Sequence, residues 1–240
     1  MRPFLLPPAG EIHLHYPALP HHEPELTRLE RQLSPAEAVR AERLKSPLAR
    51  NRFIAGRGML RRILGQYLGI DPADVEIAAG EHGKPFLADS AANLRFNVSH
   101  ADEILVLAVT VDVEIGVDIE RIDAGKDIHA MARLAFSRQE QEELLAMPAA
   151  QQVEAFHRCW VRKEACLKAC GRGFVLPGGS FSVSLRNEAP AEALVCCNEA
   201  TWHVLDIDAP HNYCGALAFE ARASDILSPK PVIITSPKPL

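Results

Sequence analysis

Hydrophobic and polar positions along the chain predict a mixed α/β protein. Short stretches that alternate apolar and polar residues, or that are continuously apolar, are typical of strands, whereas an apolar residue every three or four positions is typical of a helix. The pattern predicts strands at 10–16, 75–79, 94–98, 104–111, 115–119, 180–185, 202–208 and 213–221. It predicts helices at 35–45, 48–68, 127–135, 138–146 and 150–170.

The order of these elements repeats along the chain. Each half contains a strand, then helices, then three strands, and the two series meet near residues 112–116. We therefore expect two similar α/β halves, an N-terminal one at 1–112 and a C-terminal one at 113–226. Residues 227–240 contain the sequence SPKP twice and are expected to be a disordered, proline-rich tail.

Composition narrows the class of protein. The chain has 240 residues and a formal net charge of -5, so no global basic field favours nucleic acid. The longest strongly apolar stretch, at 104–111, is far shorter than the roughly 20 residues of a membrane span. The N-terminus lacks the pattern of a secretory signal, and the six cysteines form no C-x-x-C pair. We expect a cytoplasmic protein with buried, reduced thiols.

Two acidic residues in a predicted strand are the first candidate site. Asp118 and Glu120 are two positions apart, so both side chains point to the same face. Adjacent carboxylates repel each other, and a Mg²⁺ ion would supply the counter-charge together with phosphate oxygens. The alternative is a pair of solvated acids on an edge strand, neutralised by Arg121.

A second candidate lies in the helix predicted at 150–170. Glu164 and Lys168 are four residues apart and therefore neighbours on one helix face. Gly171 is expected to end this helix in the left-handed conformation. The pair could serve a metal-phosphate site, or it could be an ordinary surface salt bridge.

The N-terminal half carries groups suited to a phosphorylated ligand. Residues 40–62 contain eight basic residues against one acid, which predicts a local basic patch or a solvated helix face. Lys84 lies in a turn between Gly83 and Pro85. Ser99 and His100 end a predicted strand and could either donate hydrogen bonds to a phosphate or cap the strand end.

Together these segments resemble the Sfp-type 4′-phosphopantetheinyl transferases. The resemblance spans roughly residues 34–185 and keeps the order of the family's motifs. The motifs are G-K-P at Gly83–Pro85, F-N-V-S-H at Phe96–His100, G-V-D-I-E at Gly116–Glu120, F-S-R-Q-E at Phe136–Glu140 and W-V-R-K-E-A-C-L-K-A-C-G-R-G at Trp160–Gly173. It implies two α/β halves related by a pseudo-two-fold axis, with coenzyme A bound in the cleft between them.

The resemblance also implies roles for individual residues. Asp118, Glu120 and Glu164 would hold Mg²⁺ on a pyrophosphate, and Lys168 would support that pyrophosphate. The groups that would bind the phosphates of coenzyme A are Arg52, Lys84, Ser99, His100, Arg40 and Lys168. Relatives often carry two basic residues early in the S-P helix, but this chain has Glu37 at the first position and Arg40 at the second, so Arg40 or Arg43 would grip the 3′-phosphate.

The implied reaction moves the phosphopantetheine arm of coenzyme A to a serine of an apo acyl or peptidyl carrier protein and releases 3′,5′-ADP. Glu164 would take the serine proton directly or through a water, and Lys168 would stabilise the bridging or leaving oxygen. Relatives with two halves are usually monomers. Two alternatives remain: a Mg²⁺-dependent phosphohydrolase of coenzyme A or nucleotides, and an anion- or nucleic-acid-binding module built on the arginines of 40–62. Mg²⁺ and Mn²⁺ are not distinguished.

Overall fold

Two four-stranded sheets, each with its own helices, make up the protein. The computed structural model describes residues 4–88, 93–171, 177–187, 191–194, 201–221 and 230–233. The helices are α1 (Glu23–Glu30), α2 (Pro35–Arg43), α3 (Pro47–Leu68), α4 (Ile128–Ala135), α5 (Arg138–Ala146) and α6 (Ala149–Cys170). The strands are β1 (Glu11–His15), β2 (Ile77–Ala79), β3 (Pro85–Leu87), β4 (Leu94–Ala101), β5 (Ile104–Val111), β6 (Ile115–Arg121), β7 (Ala191–Leu194), β8 (Thr201–Ile207), β9 (Tyr213–Ala221) and β10 (Lys230–Ile233).

The predicted α/β architecture is confirmed. The N-terminal sheet has the order β10-β1-β5-β4 and packs on α1–α3, whereas the C-terminal sheet has the order β6-β9-β8-β7 and packs on α6. Strands β2 and β3 form a small separate hairpin. A third apolar cluster, with Val106 of β5 and Val117 of β6 at its centre, joins the two sheets. The two sheets therefore pack against each other along a buried seam.

Both halves contain the same helical arrangement. Ser34 caps α2 and Ser137 caps α5, each through a capping box with a glutamate three residues later. A helix of 22 residues follows in each half, α3 in the first and α6 in the second. Each long helix ends at a glycine in the left-handed conformation, Gly69 or Gly171, as the sequence predicts.

The glutamate of each capping box also binds a basic residue of the long helix. In the first half, Nε of Arg61 lies 2.5 Å from Oε2 of Glu37. In the second half, Nζ of Lys163 lies 2.7 Å from Oε2 of Glu140. All four side chains are nearly inaccessible to solvent, so each pair fixes the short helix against the long one.

Several elements differ from the sequence-based prediction, which contained neither helix α1 nor strands β3 and β7. The segment predicted as a strand at 180–185 is a 3₁₀ turn followed by extended chain without strand partners. Its side chains alternate between buried and half-buried positions, but side chains of α6 and α5 satisfy its backbone: Lys163 donates to Phe181 O, Arg162 to Ser184 O, and Glu140 accepts from Val183 N–H. The alternation of buried side chains is that of a strand, but the hydrogen-bond partners of its backbone are side chains and not a neighbouring strand.

The expectation of a wholly disordered tail is also wrong for four residues. Strand β10, at Lys230–Ile233, pairs in parallel with β1 from Glu11 to Leu14. It contains Pro231 and lies at the edge of the sheet, where proline is tolerated. Residues 227–229 and 234–240 of the predicted tail lie outside the described residues.

Candidate active site

The candidate site lies where β4, β6 and the C-terminal part of α6 meet. Strands β4 and β6 run side by side as edges of the two sheets, joined through side chains: Val117 N–H donates to Asn97 Oδ1 at 2.9 Å, and Ile119 N–H donates to Ser99 Oγ at 3.4 Å. The motif F-N-V-S-H thus holds β6 in register with the N-terminal half.

Gly116 allows α6 to approach β6 closely. A Cβ at this position would collide with the carbonyl oxygen of Ala165 and the amide nitrogen of Ala169. The two motifs that are distant in sequence are therefore brought together backbone to backbone. This contact fixes the separation between Asp118 on β6 and Lys168 on α6.

Lys168 and Asp118 form an ion pair at this seam. Nζ of Lys168 lies 2.7 Å from Oδ1 of Asp118 and also donates to Ser99 Oγ at 2.9 Å and Val117 O at 3.2 Å. The Ser99 hydroxyl in turn donates to Asp118 Oδ1 at 2.8 Å. Lys168 is thus paired with Asp118 between α6 and β6, and its bond to Ser99 reaches the N-terminal half, so the alternative of an ordinary surface salt bridge between Lys168 and Glu164 is wrong.

The three predicted acids lie in one another's electrostatic field. Burial raises the pKa of Glu164, and the charges of Asp118 and Glu120 raise it further, against the opposing effect of Lys168. Burial and then the charge of Asp118 raise the pKa of Glu120 in the same way. Such mutual repulsion in a partly buried cluster is a common property of active sites.

A cation is the counter-charge that this cluster is suited to bind. Asp118 is only 4% exposed, and its Oδ2 is buried without a hydrogen-bond partner among the described residues. Oxygen donors of this kind suit a hard divalent ion. In their described positions, however, no three His, Cys, Asp or Glu side chains are arranged to hold a metal ion. The acids share a region, and their ligation of a metal stays a prediction.

Arg52 and His100 lie next to this cluster. Arg52 pairs with Glu103, with Nη2 at 2.8 Å from Oε1. The pKa of His100 is lowered, first by loss of hydration and then by the cations of Lys168 and Arg52. His100 is therefore within electrostatic range of both Arg52 and Lys168, two other groups predicted to bind the ligand.

Lys84 lies at the C-terminal end of α6. Its Nζ donates to Ala169 O at 2.8 Å and to Glu114 Oε2 at 2.6 Å. The ammonium thus satisfies a carbonyl of the last helical turn, a favourable place for a cation. Its predicted contact with a phosphate stays a prediction.

The basic patch predicted at 40–62 is smaller than expected. Five of its arginines are paired with acids from other parts of the fold: Arg50 with Glu30, Arg52 with Glu103, Arg57 and Arg61 with Glu37, and Arg62 with Glu25. The charge count over 40–62 could not include these acids because only folding brings them there. Three exposed basic residues remain without an ion pair among the described residues, namely Arg40, Arg43 and Lys45.

The Glu37 side chain is satisfied within the N-terminal half. It is buried and binds Arg57 and Arg61, and it completes the capping box with Ser34. Arg40 is exposed and stacks over the ring of Phe53 at 5.2 Å. The unexpected acid early in this helix is therefore a structural residue, and Arg40 keeps an accessible cation in the same helix.

Three contributions to the site were not predicted from the sequence. Ser99 binds Asp118 and Lys168 directly, although it was expected to donate to a phosphate or to cap the strand end. Glu140 holds Lys163, the neighbour of Glu164, and so fixes that turn of α6; its capping box with Ser137 was the available signal. His157 accepts a hydrogen bond from Asp123 N–H, for which no local pattern exists.

Comparisons with known proteins cover both halves. Residues 114–218 match the family described as the 4′-phosphopantetheinyl transferase superfamily, and residues 20–112 match the one described as 4′-phosphopantetheinyl transferase, N-terminal. No helix among the described residues has the length and apolar character needed to cross a membrane.

Individual relatives give the same result. The chain is 35% identical over 212 residues to the 4′-phosphopantetheinyl transferase HetI of Nostoc sp., a match covering 88% of each protein. It is 30% identical over 157 residues to the 4′-phosphopantetheinyl transferase Sfp of Bacillus subtilis, covering 65% of this chain and 68% of that protein. It is 29% identical over 223 residues to a phosphopantetheinyl transferase of Thraustochytrium sp., covering 85% and 76%. The chain therefore belongs to the 4′-phosphopantetheinyl transferase family.

Proposed function

We propose that this protein transfers the 4′-phosphopantetheine arm of coenzyme A to a serine of an apo acyl or peptidyl carrier protein. The observation that carries the proposal is the cluster in which Lys168 binds Asp118. The charge of Asp118 in turn raises the pKa of both Glu120 and Glu164. Family membership names the transferred group, and this cluster supplies acids and a cation suited to a pyrophosphate.

The acids of the seam would hold a Mg²⁺ ion. Asp118, Glu120 and Glu164 would be its ligands, consistent with the unpartnered Oδ2 of Asp118. A bound Mg²⁺ supplies neutralisation of charge on the pyrophosphate. Oxygen-only ligands favour Mg²⁺ or Mn²⁺ over zinc.

The bonds that change are those of a phosphoryl transfer. The serine oxygen of the carrier forms a bond to the β-phosphorus of coenzyme A, and the anhydride bond to the α-phosphate breaks. The leaving 3′,5′-ADP keeps the electron pair, and the serine proton passes to Glu164 directly or through a water. Burial and the neighbouring acids raise the pKa of Glu164 in the metal-free protein, whereas a bound cation would make the same carboxylate a weaker base, which favours the route through a water.

Basic side chains around the seam would hold the rest of coenzyme A. Lys168 would stabilise the bridging or leaving oxygen from the position that its bonds to Asp118 and Ser99 define. Arg52, Lys84 and His100 would bind phosphates or their neighbours. Arg40, and Arg43 beside it, would grip the 3′-phosphate, because both are exposed cations in α2.

Carrier proteins of this class are acidic, so an exposed basic surface would assist docking. The surface formed by Arg40, Arg43 and Lys45 is suited to this role because these cations have no ion pair among the described residues. An anion- or nucleic-acid-binding module is disfavoured, because most arginines of 40–62 neutralise internal acids. We also propose that the protein acts as a cytoplasmic monomer whose two halves meet near residue 112.

One assay separates transfer from hydrolysis. The protein is incubated with Mg²⁺, coenzyme A and an apo carrier protein, and the carrier is then weighed by mass spectrometry. A carrier mass increased by one phosphopantetheine group supports the transferase. Free 4′-phosphopantetheine with an unchanged carrier would instead indicate a phosphohydrolase and overturn the proposal.

A further inference from the structure

A buried histidine connects α6 to the chain that follows the acidic strand. His157 is 1% exposed and lies two helical turns before Glu164. Its Nε2 accepts a hydrogen bond from Asp123 N–H at 3.2 Å, and its Nδ1 lies 2.8 Å from Val153 O. Since a carbonyl only accepts, Nδ1 carries the proton and Nε2 is free to accept. Both nitrogens are therefore committed in the neutral ring.

Asp123 begins a tight turn, residues 123–127, that leads from β6 into α4. Asp123 Oδ1 accepts from Gly125 N–H at 2.9 Å, and Asp123 O accepts from Lys126 N–H at 3.4 Å. Asp127 then caps α4. The hydrogen bond from Asp123 N–H to His157 joins this turn to α6, the helix that carries Glu164 and Lys168.

The turn carries one cation close to the end of the acidic strand. Lys126 lies six residues after Glu120 and five residues after the end of β6 at Arg121, and its charge lowers the pKa of His157, which the turn contacts. Lys126 is exposed and has no side-chain ion pair among the described residues. An accessible cation at the rim of the cluster that would receive the carrier serine is suited to an acidic partner.

We propose that neutral His157 is a positioning residue, which anchors the 123–127 turn and thereby holds Lys126 at the rim of the site to contact an acidic group of the carrier protein. The contact with the carrier rests on the proposed function, whereas the anchoring of the turn does not. His157 touches no reacting atom and acts through Lys126.

Acid should release the anchor. Protonation turns Nε2 into a donor that faces the Asp123 N–H, and the bond is lost. Burial lowers the pKa of His157 from its ordinary value of 6.5, and Lys126 lowers it further, whereas the bond to Val153 O and the charge of Asp123 oppose this. The turn therefore stays anchored at neutral pH and is released below 6.5.

Hydrogen exchange tests the anchor in the whole protein without substrate. His157→Phe keeps a ring but removes the acceptor, and we expect exchange at 122–127 to rise about tenfold while α6 stays protected. His157→Gln keeps an acceptor, so its exchange rate at 122–127 should lie between those of the unaltered protein and His157→Phe. Cys159→Ala, a buried residue of the same helix that faces the core, is the control and should leave 122–127 unchanged.

A pH series on the unaltered protein needs no variant. Exchange at 122–127, corrected for the intrinsic rate, should rise as the pH falls below 6.5. Protection that stays constant over this range, or that is unchanged in a folded His157→Phe protein, overturns the anchor.

Kinetics test the role of Lys126. Lys126→Ala and His157→Phe should each raise KM for the carrier about threefold or more with little change in KM for coenzyme A, and the double variant should be no worse than the single ones. Additive effects, or a change confined to KM for coenzyme A, would overturn the contact with the carrier. If no transfer occurs with the unaltered protein, the proposed function fails, and the exchange experiment still decides the anchor.

Discussion

The ammonium of Lys168 on α6 lies 2.7 Å from Oδ1 of Asp118 on β6, where this helix packs on the edge strand of the C-terminal sheet. The two residues are 50 positions apart, and each belongs to a different motif. Asp118 is buried and Lys168 is only partly exposed, so this pair is both a structural contact of the seam and the centre of the proposed chemistry. Stability and activity should therefore respond differently to changes in it.

Removing the cation tests the structural part. Lys168→Met leaves the buried Asp118 carboxylate without its ion pair, and we expect unfolding free energy to fall by about 1–3 kcal/mol. Adding Asp118→Asn should recover much of this loss, since the uncompensated charge is gone, while activity stays absent. Urea denaturation of the two single variants and the double variant measures the coupling, and strictly additive losses would contradict it.

Glu164→Gln tests the proposed base. We expect kcat to fall by about 10²–10⁴-fold, because the amide cannot accept the serine proton, while the fold is retained. Glu154→Gln is the matched control, since Glu154 is an exposed residue of the same helix and should be silent. Steady-state kinetics with an apo carrier measure both variants. Full activity in Glu164→Gln would remove this residue from the mechanism.

The same variant tests the electrostatic strain among the acids. The pKa of Glu164 is raised above its ordinary 4.5 in the folded protein, so the native state binds this proton more tightly than the unfolded state. The metal-free protein therefore loses stability from Glu164 as the pH rises through that range. Glu164→Gln lacks this loss.

The stability difference between Glu164→Gln and the unaltered protein should consequently grow in favour of the variant from pH 4.5 to neutrality. Thermal denaturation without divalent cations measures it. A difference that is constant with pH, or that shrinks, would show that Glu164 is not repelled by its neighbours. Adding Mg²⁺ should stabilise the unaltered protein more than the variant.

The close approach of α6 and β6 at Gly116 gives a steric prediction. Gly116→Ala would force the helix backbone away from the strand, costing about 3 kcal/mol and most of the activity. Gly56→Ala in helix α3 is the control, because a Cβ at this position would meet only Cδ1 of Leu105, at the ordinary contact distance of 3.7 Å. That control should be neutral or slightly stabilising. A folded, fully active Gly116→Ala protein would contradict the seam geometry.

Charge on α2 should matter for substrate binding. Arg43→Glu reverses an exposed cation that has no ion pair among the described residues, so KM for the carrier or coenzyme A should rise, more at low ionic strength than at high. Arg28→Glu, which reverses the charge of an exposed residue on α1, is the control. Equal KM values for the two variants, or rates that do not depend on salt, would argue against a charged docking surface.

Local signals in the sequence predicted much of this fold. The capping serines Ser34 and Ser137 and the terminal glycines Gly69 and Gly171 define helix ends through contacts a few residues away. Asp118 and Glu120 are recognisable because strand geometry alone places them on one face.

Contacts between distant segments could not be predicted. The residues around Glu37 do not indicate that Arg61 will form an ion pair with it. Likewise, the residues around His157 do not indicate its hydrogen bond with Asp123 N–H. The stretch 180–185 misleads because helix side chains replace its missing strand partner. In each case the partner is chosen by tertiary packing, which overrides local preference.

The central claim, that one cation is held by acids from both motifs, is tested most directly by anomalous diffraction. Crystals grown with Mn²⁺ and coenzyme A should show a single anomalous peak at about 2.1–2.2 Å from carboxylate oxygens of Asp118, Glu120 and Glu164, with a pyrophosphate oxygen on the same ion. A peak bound elsewhere, or one that leaves Glu164 outside its coordination shell, would contradict the account.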